Sequence, residues 1–408
     1  MRPSAACGLF KGKAMKDKHF ETMAIHAGGG EKKPENALND PIFMTSAFTF
    51  DSLEKADAAF SFETRDYVYT RGNNPTLRVL EERMAALEGG QGAVAFASGM
   101  AAISSVLLSL LKPGDEVIAH RMLYGSTQNF VKNILPRYGI SSRLLNLTDI
   151  SALAAEVNDR TKVIYFETPV NPSLEIIDIR AVCQFARIRG IKVVVDNTFA
   201  TPYFQRPLDL GADVVVHSAT KYISGHGDVI AGLAVARDGD YVQELKFGVM
   251  CEFGGVMSPF TAWLLLRGLK TLALRMREHE ANALAVSRYL KEHPKVKKVY
   301  YPGLPDFPGH SLAATQMSGF GAMVSFEVNG NLAQSKQLVN SLKLFKLAVS
   351  LGDCESLVQH PFAMTHRGYT PEEVREVGLS PGLIRLSIGL EHKEDLIADL
   401  DQALANLN

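Results

Sequence analysis

The chain is poor in cysteine: it has four in 408 residues, Cys7, Cys183, Cys251 and Cys354, and none form a C-x-x-C pair. That spacing argues against a disulfide framework or a zinc ribbon. Basic blocks are absent too, and the formal net charge is −1, so there is no electrostatic footprint for nucleic acid or an anionic membrane. No segment approaches the roughly 20 uninterrupted apolar residues that a membrane helix needs. The opening stretch MRPSAACGLFKGKAMKDKHF holds too few consecutive apolar residues for a signal-peptide core, and residues 1–18 read as a leader. No G-x-G-x-x-G follows the first strand and no P-loop occurs, which removes nicotinamide and nucleotide-phosphate chemistry. His217, His226, His360 and His366 lack metal-ligand spacing, so no metal is expected. These absences leave a cytoplasmic globular protein acting on a small molecule.

What is present is an apolar fraction of 46%, enough for a large core divided into two or three units. From residue 92 onward, short apolar runs recur: GAVAFAS (92–98), DEVIAH (115–120), SSRLLNL (141–147), TKVIYFET (161–168), IKVVVDNT (191–198), ADVVVHSAT (212–220) and AGLAVAR (231–237). Amphipathic stretches such as 126–137 and 178–189 separate them. Runs apolar on both faces, alternating with helices, predict a mostly parallel sheet covered by helices. A long helical pattern follows over 259–292. Strands at 320–328 and 383–391 and a final helix from about 393 then predict a smaller α+β unit.

Ligands of open α/β sheets sit beyond the carboxyl ends of the strands, so the polar residues that end each run carry the information. FASG ends in Ser98 and Gly99 at a helix start, where backbone N–H groups and the helix dipole favour an anion. YFETPVNP ends in Asn171. VVVDNT ends in Asp196, a carboxylate that needs a cationic partner if it is buried. VVVHSATK ends in Ser218, Thr220 and Lys221. A cation-demanding carboxylate, an amine in apolar surroundings, two hydroxyls and an anion site are together met by pyridoxal phosphate. Asp196 would pair with its protonated ring nitrogen, Lys221 would condense with its aldehyde, and the hydroxyls and helix amides would take its phosphate.

The motifs SATKYISGHGD, DNTFATP, FASGMAAI, YTRGNNPT, ETPVNP and LIRLSIGLE closely resemble the Cys/Met-metabolism family of pyridoxal-phosphate enzymes, from about residue 20 to the C-terminus. The resemblance implies an aspartate-aminotransferase-like α/β fold. It divides the chain into an arm (1–73) that contacts a neighbouring subunit, a large cofactor-binding domain (74–265) and a C-terminal α+β domain (266–408). It also implies a homotetramer, a dimer of dimers whose active site is shared across the tight dimer. Matched by motif, Gly99, Met100, Ser218 and Thr220 correspond to the phosphate cup, and Tyr69 and Arg71 to a pair reaching the neighbour's phosphate. Tyr124 corresponds to the ring that stacks on the pyridine and acts as acid or base. Arg385 and Ser350 correspond to the clamp on the substrate carboxylate.

The reaction implied is elimination or replacement at the β or γ carbon of a sulfur amino acid. Val349 stands where cystathionine γ-lyases tend to carry a glutamate, and an apolar residue there favours a small uncharged tail such as that of methionine or homocysteine. The stretch AVSLGDCESLVQHPFAMTH looks most like the methionine γ-lyases. Ser126 departs from them, standing where they usually have cysteine. MSPFTAW (257–263) resembles the O-succinylhomoserine sulfhydrylases instead, so sulfhydrylase, cystathionine γ-synthase and cystathionine γ-lyase activities are the alternatives on the same scaffold.

Overall fold

The computed structural model describes residues 17–30, 33–364 and 380–407. Most of the leader and His366 lie outside the described residues. The seven apolar runs form one sheet of strands β1 (Gly92–Phe96), β2 (Glu116–His120), β3 (Ser141–Leu145), β4 (Thr161–Glu167), β5 (Lys192–Asp196), β6 (Val214–Ser218) and β7 (Gly232–Ala236), in the order β1-β7-β6-β5-β4-β2-β3. Only β7 runs antiparallel to its neighbours. Valines 193, 195 and 215 pack one face, and valines 194, 214 and 216 pack the other. Burial on both faces is why these runs show no polar alternation.

A second sheet holds β8 (Val296–Tyr300), β9 (Met323–Val328), β10 (Lys346–Leu347), β11 (Leu357–Gln359) and β12 (Leu383–Ser387), in the order β10-β11-β12-β9-β8. Among the described residues no helix is long and apolar enough to cross a membrane. Two helical expectations need correction. The pattern over 259–292 is two helices, Pro259–Leu269 and Leu272–Glu292. The Gly268 carbonyl accepts Arg275 Nη2 at 2.9 Å, and its place in the ladder is given up where the chain turns. The stretch 126–137 is not one α-helix: a turn at Gly125–Asn129 widens into a π segment and then tightens into a 3₁₀ segment, Leu135–Tyr138. Pro136 lacks the N–H that would continue the α ladder.

The helix Leu272–Glu292 fixes the two halves of the site to each other through three buried residues on one face, at i, i+4 and i+7. Arg275 Nη1 donates to the Tyr222 carbonyl (2.7 Å), just after Lys221. His279 Nδ1 donates to Ile388 O (2.7 Å), and Asn282 Nδ2 to Gly389 O (3.1 Å) and Glu391 O (2.8 Å), all just beyond β12. Burial holds His279 down at about 4, so it stays neutral and keeps this donor role near neutral pH.

Strands β1 and β6 end at the same edge of the sheet, where β7 begins. There Gly232 is paired with both Phe96 and Ser218, and a Cβ on it would lie 2.0 Å from the Ser98 carbonyl oxygen. Backbone cannot yield as a flexible side chain can. Gly232→Ala should therefore cost about 1–3 kcal/mol and lower the melting temperature measured by calorimetry. Gly248→Ala, whose Cβ would meet only Glu244 Cγ at 3.8 Å, should leave it unchanged.

Candidate active site

The carboxyl ends of β4, β5 and β6 and the start of β12 meet at a cleft of about 370 Å³. Ser98 caps the helix Gly99–Leu110 by accepting Ala101 N–H at 3.1 Å, which turns the first free amides of the helix toward the cleft. A Cβ on Gly99 would lie 2.9 Å from Ser218 Cβ and 3.1 Å from its Oγ, so the helix start packs directly against Ser218. Thr220 is committed at one edge: its hydroxyl donates to Ala231 O (3.2 Å) and accepts Ala231 N–H (3.0 Å).

Asp196 ends β5, only 9% exposed. Its Oδ1 accepts Thr198 N–H at 2.9 Å and its Oδ2 faces the Tyr165 hydroxyl at 3.4 Å. No Lys or Arg ion pair to it occurs among the described residues. Burial raises its pKa against these hydrogen bonds, the mark of a carboxylate short of a cation. Lys221 follows β6, and its Nζ donates to Ser350 Oγ at 2.8 Å. Burial, and then the Arg385 charge, hold the amine down at about 8. A sizeable neutral fraction near neutral pH makes it a nucleophile and a base.

Arg385 lies in β12, 3% exposed. Nη1 donates to Asn171 Oδ1 (2.8 Å), and Nη2 to Gln359 Oε1 (2.6 Å) and Ser350 O (3.0 Å). All three acceptors are neutral, and Nε is buried with no hydrogen-bond partner. Desolvation pushes the guanidinium down to about 10. A buried cation held only by neutral oxygens is arranged to receive a carboxylate.

Of the residues singled out from sequence, Gly99, Met100, Tyr124, Asn171, Asp196, Ser218, Thr220, Lys221, Val349, Ser350 and Arg385 all line this cleft. Tyr124 is 44% and Val349 is 64% exposed, so both stand at its mouth. Ser126 does not line it; one position into the helix Gly125–Asn129, it faces solvent. Tyr69 and Arg71 are also elsewhere in this chain. They face each other at 5.7 Å beside a separate cavity of about 250 Å³ lined by Phe60, Phe62, Phe247 and Cys251. Sequence reasoning passed over Glu167, Thr198 and Gln359, which line the cleft as well. Glu167 could have been found, because it ends β4 as Asp196 ends β5.

A family model described as Cys/Met metabolism PLP-dependent enzyme matches residues 21–405. The L-methionine gamma-lyase of Pseudomonas putida is 49% identical over 94% of this chain and 97% of its own length. Among solved structures, metB from Corynebacterium glutamicum superposes with a TM-score of 0.91 at 41% identity, covering 96% of this chain and 99% of that one. A cystathionine gamma synthase from Xanthomonas oryzae pv. oryzae, solved with aminoacrylate and cysteine, gives 0.90 at 43% identity, covering 95% and 98%.

The Arg385 charge is one cause of the low Lys221 pKa, so removing that cation must raise it. Arg385→Leu should move the midpoint of adduct formation between Lys221 and a small aromatic aldehyde to higher pH. Absorbance of the adduct across a pH series measures this; an unchanged or lower midpoint would contradict the coupling.

Proposed function

The chain belongs to the Cys/Met metabolism PLP-dependent enzyme family, and from that premise we propose that it is a carbon–sulfur lyase that converts L-methionine or homocysteine, with water, to 2-oxobutanoate and ammonia, releasing methanethiol from the first and hydrogen sulfide from the second. The observation that carries this is the gathering of Asp196, Lys221 and Arg385, none with an ion pair of its own among the described residues, in one cleft.

Those residues fit pyridoxal 5'-phosphate. A buried carboxylate short of a cation suits a protonated ring nitrogen. The start of the helix Gly99–Leu110, with the Ser218 hydroxyl close beside Gly99, suits a phosphate. When bound, the cofactor supplies an electron sink for charge leaving the substrate α-carbon. Lys221 would carry it, and once freed would take the proton from Cα and move one at Cβ. Arg385 and Ser350 would hold the α-carboxylate, and Asn171 would orient Arg385. Tyr124 would stack on the ring at the mouth and protonate the departing sulfur. Ser218 and the amides of Gly99 and Met100 would take the phosphate directly; Thr220 would join them only by releasing Ala231. Tyr69 and Arg71, remote from their own cleft, would serve the neighbour's phosphate across a tight dimer within a cytoplasmic homotetramer, the arm 1–73 contacting the neighbouring subunit, 74–265 forming the cofactor-binding domain and 266–408 the C-terminal one.

Side-chain preference rests on the mouth of the cleft. Glu167 and Asp196 lie buried on its floor, and Val349 places no anion near the far end of a substrate. An ammonium of cystathionine there meets no anionic partner from Val349, whereas each CH₂-sized unit of a methylthio tail that becomes buried contributes about 0.8 kcal/mol. The cystathionine gamma synthase likeness supports cystathionine or an O-acylhomoserine as the second reading. With purified holoenzyme, methionine and homocysteine should give 2-oxobutanoate with higher kcat/KM than cystathionine, and Val349→Glu should narrow the gap. A tenfold preference for cystathionine, or for O-acylhomoserine with sulfide (about 1.4 kcal/mol of transition-state preference), would replace the lyase reading with the second one.

A further inference from the structure

Glu167 has no task in that scheme. It ends β4 directly opposite Asp196 in the parallel register. Tyr165, two residues earlier on β4, reaches Asp196, so Tyr165, Glu167 and Asp196 share one face of the sheet. Glu167 and Asp196 are 7% and 9% exposed and line the same cleft. Two carboxylates side by side away from water cannot both be ionised cheaply, and the pair titrates as a unit.

Hydrogen-bond donors decide where the proton rests. Asp196 accepts Thr198 N–H and faces the Tyr165 hydroxyl. Glu167 Oε1 accepts the Tyr124 backbone N–H. The charged groups around the pair are Arg385 from β12, Lys221 after β6 and His217 on the opposite face of the sheet. Arg385 gives its Nη hydrogens to Asn171, Gln359 and Ser350 rather than to either carboxylate, and His217 pairs with Glu88 (2.7 Å). Burial and then the Asp196 charge push Glu167 up to about 8, with the Tyr124 N–H and Arg385 pulling the other way. Environments that separate two neighbouring carboxyls in this way assign them different protonation states.

We propose that Glu167 is a positioning residue that stays a neutral acid beside an ionised Asp196, holding the Tyr124 backbone through its carbonyl oxygen and leaving the pair one negative charge to match one cationic ring. Tyr124 is thereby set over the floor of the cleft by an acceptor that carries no charge. The proposal rests on the reading that Asp196 faces the ring nitrogen.

The test titrates apoprotein with pyridoxal 5'-phosphate and records the infrared carboxyl region of the holoenzyme grown on ¹³C-glutamate. Glu167→Gln keeps the acceptor and the neutrality, so it should bind the cofactor within about threefold of the parent. It should also remove a protonated glutamic-acid band that the parent shows near neutral pH. Weaker binding by more than threefold, or no such band in the parent, overturns the proposal. Should the amide variant fail to fold, Glu167→Asp must remove the band from the glutamate-labelled spectrum, and persistence of the band overturns it. Asp196→Asn separates the underlying reading: binding that it leaves unchanged means the ring is misplaced, whatever Glu167 does.

Discussion

The site is organised by a carboxylate without a counter-ion. Asp196 stands at the end of a strand whose preceding valines are fully enclosed, and no protein cation pairs with it among the described residues. Such a group is stable only with a cationic partner or a proton. The rest of the cleft repeats the pattern with other signs: Lys221 is a half-desolvated amine resting on a hydroxyl, and Arg385 is a buried guanidinium resting on amides and a carbonyl. None of the three has an ion pair of opposite charge among the described residues. These are the three groups that the proposed reading assigns to a phosphorylated pyridine and a zwitterionic amino acid.

Holding uncompensated charges in place has a structural cost, and the fold meets it with rigid backbone. The parallel strands pair Glu167 with Asp196, and Asp196 with Val216, two residues before Ser218. The antiparallel β7 begins opposite Ser218 and brings Gly232 against Ser98. The polar face of Leu272–Glu292 ties the Lys221 loop to the strand carrying Arg385. The spacing between Lys221 and Arg385 is thus held by one buried helix face bonded to main-chain carbonyls, the rigidity that a preorganised site requires.

Much of this was legible in the sequence, for reasons that differ by element. Six strands of the large sheet stood out because burial on both faces leaves continuous apolar runs; β3, half-buried throughout, stood out by its two leucines. Strands β8, β10 and β11 did not: β8 carries two exposed lysines, and β10 has two exposed residues, so neither presents an apolar run. The break at Lys270–Thr271 was hidden because leucines continue the helical period across it. Lys221 and Asp196 were found by the strand-end rule, and Glu167 obeys the same rule but was passed over for Asn171. Arg385, Val349 and Ser350 came only from family resemblance, since a lone arginine in a strand reads as solvent-facing. Ser126 was expected at the substrate and faces solvent, because the helix turn after Tyr124 carries it outward.

The most direct measurement is borohydride reduction of the holoenzyme followed by peptide mapping. If Asp196, Lys221 and Arg385 form one ligand-holding unit, the reduced cofactor must be found on Lys221, in the peptide that begins after β6, and substrate added beforehand must protect that residue from labelling. A label on any other lysine, or a protein that retains no cofactor to reduce, would contradict it.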